Sequence, residues 1–466
     1  MKNTLVIISL FVPLCVHAQS TLFSTDPAQR FVPVKISVES DFKKALSAKK
    51  DADPYGEPDL SRLLVDATIT DLQNNRSFGA KIRARGNSVL TDPEANFPKL
   101  KIEIEKAEEI DSTLFSGQRN FRINTHISDK ITKTGLTTYG RLIGDNAPRR
   151  EGLVYKLAES LGLITPLTRF AEITYKDAIT EKVQTNQALI IETDKKIAQR
   201  YNGEIILDLS EITMRPVVKP SEAALFFAFH KLIGNEDVAL KMYEPNVMET
   251  ENNRELWNTF LVKMNDGSVR PVVYDLDLAT GVNGRNSVIG KEYLNKDFDL
   301  MKPETALFVT RFAKLRQKIA DQNILAAVRL INSKMPQLRE IIQASPVDNV
   351  GKKLILQHLE LFRENAEKVL SLKIIAAEGV RFYRKADIKS GQKTKVSRED
   401  DLSLPLRPGT PVKVLSEEGG FLKVAIMDIR KDLKESESAI GFIDKKSVIA
   451  DTLPESLLGS LNASDM

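Results

Sequence analysis

Asp275 and Asp277 close the segment Arg270-Pro271-Val272-Val273-Tyr274-Asp275-Leu276-Asp277. The apolar run ahead of them predicts a strand of buried type, and side chains at i and i+2 of an extended chain share one face. Two like charges on one face repel unless a cation lies between them. A hard divalent ion such as Mg²⁺, bound through one or two carboxylates and the phosphates of a nucleotide, suits that pair. Capping of the next turn, or pairing with Lys or Arg, is the competing use of the same two residues.

Several elements must position such a pair. Strand-like runs occur from Phe31 to Val38, Leu64 to Leu72, Phe78 to Arg85 and Leu100 to Ile104. Alternation in the third, with Phe78, Ala80, Ile82 and Ala84 on one side and Lys81, Arg83 and Arg85 on the other, predicts an antiparallel sheet with one packed face. Lys99 and Lys101 fall on the polar face of the fourth, where solvated lysines are expected. A helix is predicted from about Pro148 to Leu161, with Asn146 as N-cap and Gly162 at its end. Leu153, Val154, Leu157, Ala158 and Leu161 form its apolar stripe. Glu151 lies at the edge of that stripe near the N-terminus, a place that favours acids, and Glu159 lies opposite, in a solvated position.

Strands from Arg169 to Tyr175 and Gln187 to Glu192 follow, the second buried on both sides. Ser221 then caps a helix from Glu222 to Ile233 that stops at Gly234 and delivers the loop Asn235-Glu236-Asp237. A hairpin pairs Phe260–Met264 with Ser268–Tyr274 around Asn265-Asp266-Gly267, a strong turn signal. The pattern from Thr305 to about Leu372 is helical, with breaks expected at Pro336 and Pro346. Short β runs between Gly and Pro turns then read as a small barrel over about 380–450, ahead of a flexible tail, 451–466. Residues 19–30 read as a loose leader and 48–60 as a polar, turn-rich insertion.

Composition narrows the setting. The 466 residues suffice for two or three domains. Charged residues make up 28% of the chain and nearly balance, and a net charge of +4 gives no reason to expect a nucleic-acid or membrane-surface partner. The apolar run from Leu5 to Val16, followed by Val16-His17-Ala18, predicts a signal peptide over 1–18 and export to the periplasm or the extracellular space. No later segment is apolar enough for a membrane span. Cys15 is the single cysteine, so the exported product relies on its core and not on disulfides. His126, His230 and His358 do not cluster along the chain and read as structural.

The chain resembles the spore coat protein H (CotH) kinase-like family, in its secreted bacterial branch, over about 31–375. The motifs are Arg83-Ala84-Arg85-Gly86-Asn87, Phe97-Pro98-Lys99-Leu100-Lys101-Ile102, Phe115-Ser116-Gly117 with Thr125-His126, and Arg150-Glu151. Further on they are Ile233-Gly234-Asn235-Glu236-Asp237 and the Asp275–Asp277 segment with Gly281-Val282-Asn283. The tail resembles a bacterial SH3-like domain through Gly409, Gly-Phe-Leu-Lys-Val at 420–424 and Gly441-Phe442-Ile443.

The resemblance implies an α+β, atypical protein-kinase-like bilobal fold, with an N-lobe over about 31–192 and a C-lobe over about 193–375, followed by a small all-β SH3-like barrel. It implies an ATP- and Mg²⁺-dependent kinase acting on Ser or Thr of a protein substrate in the cell envelope. Asp237 would be the catalytic base. Asp275, beside Asp277, and Asn246 would hold metal. Lys101, or failing it Lys99, would contact the phosphates and pair with Glu151. Glu192 would end the strand that borders the adenine. Arg85 would assist in place of a glycine-rich phosphate loop, which is absent from the sequence. Each residue keeps a structural alternative: solvated lysines, helix-start acid, turn aspartate, strand-end glutamate. The surroundings of Asp237, with Val238 and Pro245 where the family often has an aromatic residue and a histidine, leave a second expectation open. That is an inactive pseudokinase scaffold whose SH3-like part binds cell-wall peptides or glycans.

Overall fold

The computed structural model describes residues 21–47, 64–206, 218–240, 256–284, 312–383, 406–426 and 440–450, apart from 25, 313, 318, 378, 407–409, 447 and 448. Asn246, the predicted signal peptide, the 48–60 insertion and the tail beyond 450 lie outside the described residues. The fold is mixed α/β, a sheet-rich lobe joined to a helical one.

Seven strands build the first lobe: β1 (Val34–Ser40), β2 (Val65–Asp71), β3 (Arg76–Ala84), β4 (Leu100–Ile104), β5 (Asn120–Asn124), β6 (Thr168–Asp177) and β7 (Val183–Ile191). They close into a barrel in the order β1-β2-β3-β4-β5-β7-β6, antiparallel except for β1 against β6. The sheet with one packed face is therefore a barrel, and closure removes the exposed edges that an open sheet would present. Alternation sends Ile82, Leu100, Ile102, Phe121 and Ile123 into its interior core.

Helix α1 (Asn146–Ser160) packs on the outside of β6 and β7. The approach is so close that a Cβ on Gly152 would lie 2.6 Å from Leu189 and 2.7 Å from Phe170. This explains a glycine in mid-helix, where it otherwise costs stability. The N-cap position falls to Asp145, with no side-chain capping bond, and Asn146 is already helical.

The other face of α1 joins a second core with α3 (Pro220–Leu232), α5 (Asp321–Ala344) and α6 (Asn349–Leu370); the short α2 (Asp194–Arg200) follows β7. Pro336 does not break the chain there: α5 runs through it. Ile331, Met335, Leu338 and Ile342 bury one continuous stripe on both sides of the proline, and that packing outweighs the roughly 3 kcal/mol a mid-helix proline costs. The break before Pro346 does occur, with Ser345 as C-cap.

Small strands complete the second lobe. β8 (Glu204–Ile206), β11 (Leu261–Lys263) and β12 (Val269–Pro271) form one sheet, and β9 (Ala239–Leu240) pairs with β10 (Leu256–Trp257). The last described residues form an antiparallel sheet of order β16-β15-β14-β13-β17, from β13 (Lys373–Ile375), β14 (Pro411–Glu418), β15 (Phe421–Ile426), β16 (Ile440–Asp444) and β17 (Ile449–Ala450). Its strand order is open among the described residues, and it has its own small core around Ile375, Phe382, Val412 and Ile443. Among the described residues no helix is long and apolar enough to cross a membrane.

Candidate active site

Lys99 stands just before β4 on the outer face of the barrel. Its side chain is only 2% exposed, because it reaches across to the helical lobe. Its Nζ lies 2.6 Å from Asp275 Oδ1 and 2.9 Å from Asp277 Oδ2, so one ammonium bridges both acids. Burial opposes that charge, yet Asp275, Asp277 and Glu151 together hold the lysine above its ordinary range. Asp277 also accepts from Arg141 Nε at 2.9 Å. Burial works against the ionised carboxyl, but Lys99 and Arg141 hold Asp277 well below the usual carboxylate range. Arg141 is anchored in turn by Ser88 at 2.6 Å and by buried Asp92 at 3.2 Å.

Asp275 follows β12 in a left-handed conformation, φ 53°, which costs a non-glycine residue energy unless its surroundings hold it. Here its N–H donates to the buried Tyr155 hydroxyl at 3.0 Å, and its side chain is fixed by Lys99. Glu151, on α1, is buried beside this group. It accepts from Asn124 Nδ2 at 2.8 Å, and its second oxygen has no hydrogen-bond partner. Burial, reinforced by Asp277 and Asp275 and opposed by Lys99, pushes it up to about 7. Glu151 thus senses Lys99 electrostatically, while the direct ion pairs of the lysine go to the two aspartates.

Asp237 is shaped by the end of α3. Gly234 takes φ 66°, and Asn235 N–H returns to His230 O at 2.8 Å. The Asn235 side chain bonds both His230 Nδ1, at 2.9 Å, and the backbone N–H of Asp237, at 3.0 Å. From the other side, Trp257 Nε1 and Asn258 Nδ2 each donate to the Asp237 carboxylate at 2.7 Å. Burial raises Asp237; the two donors oppose this, and the charges of Asp275 and Asp277 add to it. The two segments are also stitched together. α4 (Thr280–Asn283) begins where the acid pair ends, and its Gly281 N–H donates to Ile233 O at 2.9 Å. Thr280 Oγ1 donates to Gly234 O at 3.1 Å. Asp237 and the acid pair therefore belong to one locale, facing the barrel lysine.

The remaining sequence-derived residues sit around this centre. Lys101 is half-buried on the outer face of β4, in register with Arg83 and Arg122, and its charge meets those cations and not the acid pair. Arg85 donates to Asn124 Oδ1 and, at 3.5 Å, to the Tyr274 hydroxyl. Glu192 is committed elsewhere: its carboxylate takes Arg200 Nη2 and the Leu167 N–H, both at 2.9 Å. Its backbone N–H is taken as well, by Leu167 O at 3.0 Å.

Asn124, Arg141, Tyr155, Tyr274, Trp257 and Asn258 went unmarked in the sequence, and their types alone gave no signal apart from the adjacency of Tyr274 to Asp275. The lining of the small cleft between the lobes includes Lys99, Asn124, Arg141, Glu151 and Asp277. No group of three or more Asp, Glu, His or Cys gathers for a metal among the described residues. The bridging ammonium nevertheless demonstrates that Asp275 and Asp277 can address a single cation, and two carboxylates are the donor chemistry a hard divalent ion takes.

No family model matches the chain, and no curated protein matches it either. Among solved structures it is similar to the Helicobacter pylori proinflammatory kinase CtkA, at 9% identity, covering 58% of this chain and 91% of that chain, with a TM-score of 0.31. CtkA is a distant structural neighbour.

Proposed function

We propose that this chain is an exported CotH-like phosphotransferase, moving the γ-phosphoryl group of ATP to a Ser or Thr hydroxyl of an envelope protein with Mg²⁺ as cofactor. The supporting observation is that one barrel lysine bridges Asp275 and Asp277 at the boundary where Asp237 is also held. Asp275 and Asp277, joined by Asn246, would hold Mg²⁺; the bound ion neutralises phosphate charge. Lys99, released from the acids, would pair with phosphate oxygens, and Glu151 would keep it oriented. Asp237, fixed by Trp257 and Asn258, would accept the hydroxyl proton as the acceptor oxygen bonds to the γ-phosphorus and the bond to the bridging oxygen of ADP breaks. General-base help of this kind contributes about 10²–10⁴ in rate.

Transfer from [γ-³²P]ATP should vanish in Asp237→Ala and Asp275→Ala while both variants keep a cooperative thermal transition. Equal labelling by wild type and variants would eliminate the mechanism. A second reading is supported by the saturation of the acids: Lys99 and Arg141 already neutralise Asp277, and Asp237 already takes two donors. A pseudokinase scaffold, presenting its C-terminal sheet as an SH3-like module to cell-wall peptides or glycans, would shift its melting temperature with Mg-ATP yet transfer nothing.

A further inference from the structure

The outer face of β3, β4 and β5 carries cations in two cross-strand rows. Arg83, Lys101 and Arg122 stand directly opposite one another on adjacent strands. One pleat period nearer the acid pair come Arg85, whose N–H donates to Lys99 O at 2.8 Å, then Lys99 itself and Asn124. Strands lie about 4.8 Å apart and alternate residues about 6.6 Å apart along a strand, so five cations share a surface only roughly 10 Å by 7 Å. Like charges directly opposite destabilise a sheet, so folding alone does not explain the rows.

Acids neutralise only two of the five. Lys99 uses Asp275 and Asp277, and Arg122 uses Asp194 at 2.6 Å. Arg85 bonds Asn124 and Tyr274, both neutral. Among the described residues Arg83 donates only to the Ala84 carbonyl, at 3.3 Å, and neither Arg83 nor Lys101 has an ion pair. Burial first, and then the neighbouring cations, pull both below their ordinary ranges; Glu103 relieves Lys101 only in part. This face adjoins the cleft: Lys99 lines it, and Arg85 and Arg122 both reach the hydroxyl of Tyr274, the residue before Asp275. The Tyr274 ring on this face is already engaged, with the Arg122 guanidinium 5.5 Å from its centroid and Phe260 edge-on at 5.8 Å.

We infer that this cleft recognises its phosphoryl donor through the charge of the phosphate chain and not through the base, so that nucleoside triphosphates of different bases and inorganic tripolyphosphate occupy the same site. The inference rests on the phosphotransferase reading for the word donor; the polyanion surface itself does not. Displacement of a fluorescent ATP analogue by ATP, GTP and tripolyphosphate, with Mg²⁺ present, tests it on the full chain. The three competitors should agree to within about threefold. Arg83→Gln combined with Lys101→Gln should weaken all three by at least about tenfold and flatten the salt dependence.

Because the same double variant removes like-charge crowding, its melting temperature should rise as binding falls, which separates the effect from misfolding. Strong preference for ATP over GTP, failure of tripolyphosphate to compete, or unchanged affinity in the double variant would overturn the inference. Binding of tripolyphosphate that depends on Arg83 and Lys101, in a protein that transfers no phosphoryl group, would uphold the polyanion surface and retire the phosphotransferase reading.

Discussion

Two clusters of buried charge are built in opposite ways. At the lobe boundary Lys99 and Arg141 face Asp275, Asp277 and Asp92, and each cation bonds more than one acid. Behind α1, Arg30, Lys156 and Arg169 gather, and only the first two approach an acid, Glu159. Arg30 Nη2 lies 2.6 Å from it, but Lys156 Nζ is 3.6 Å away, too long for a hydrogen bond. Phe31 stacks on Phe170 at 5.8 Å, bringing their chain neighbours Arg30 and Arg169 together. In this second cluster Nε and Nη1 of both arginines and Lys156 Nζ have no hydrogen-bond partner. Burial, with Arg30 next, drops Lys156 to about 7. In one cluster each cation is matched by acids. The other bears a desolvation cost that one carboxylate and the Phe31 ring offset only in part.

Breaking the balanced cluster should have the largest effect. Lys99→Met leaves two acids facing each other and should cost about 3–5 kcal/mol of stability, read as a fall in denaturation midpoint. Millimolar Mg²⁺ should restore more of that loss in the variant than it adds to wild type. An equal response to Mg²⁺ in both proteins would show that the acids do not take an ion.

The unbalanced cluster predicts the opposite sign. Lys156→Met should stabilise by about 1–4 kcal/mol near pH 7. The folded-state lysine titrates at about 7 and the unfolded one near 10.4. Between those values the unfolded chain binds more protons, so wild-type stability rises with pH and the advantage of the variant shrinks. A constant difference from pH 7 to 10.5 would refute that assignment.

Glu151→Gln is sharper still, since glutamine keeps the bond from Asn124. Glu151 titrates at about 7 when folded against roughly 4.3 unfolded. The folded protein therefore holds the extra proton from about pH 4.5 to 7, and wild type loses stability as pH rises across that window. The variant should be flat there and gain about 3–4 kcal/mol by pH 8; parallel melting curves against pH would count against a buried, elevated Glu151. Smallest is Tyr274→Phe, which deprives Arg122 of an acceptor at 2.8 Å and should cost about 1.5 kcal/mol. No change in midpoint would mean that water replaces the hydroxyl.

Legibility followed the range of the interactions. β4 falls where the alternation puts it, Leu100–Ile104, and the Asn265-Asp266-Gly267 hairpin and the stop at Gly234 were local signals too. Barrel closure was not legible, because it depends on β1 pairing with β6 across more than a hundred residues. Alternation treats Lys99 and Lys101 alike; only the packing of the two lobes sets the first against the acids and the second among cations. Glu159 reads as solvated on a helical wheel, but Arg30, 129 residues away in sequence, folds over and pairs with it. Arg141 carried no signal because its acids lie 49 and 136 positions distant.

The bonds from Thr280 and Gly281 to Gly234 and Ile233 have a mechanical consequence. They weld the loop of Asp237 and the turn after Asp277 into one block, while Lys99 rides on the barrel. If the two halves of the molecule part, the lysine leaves the aspartates, but Asp237 and the paired acids travel together and keep their spacing. Opening and closing would then set when the cleft is charged, without disturbing how its aspartates are aimed.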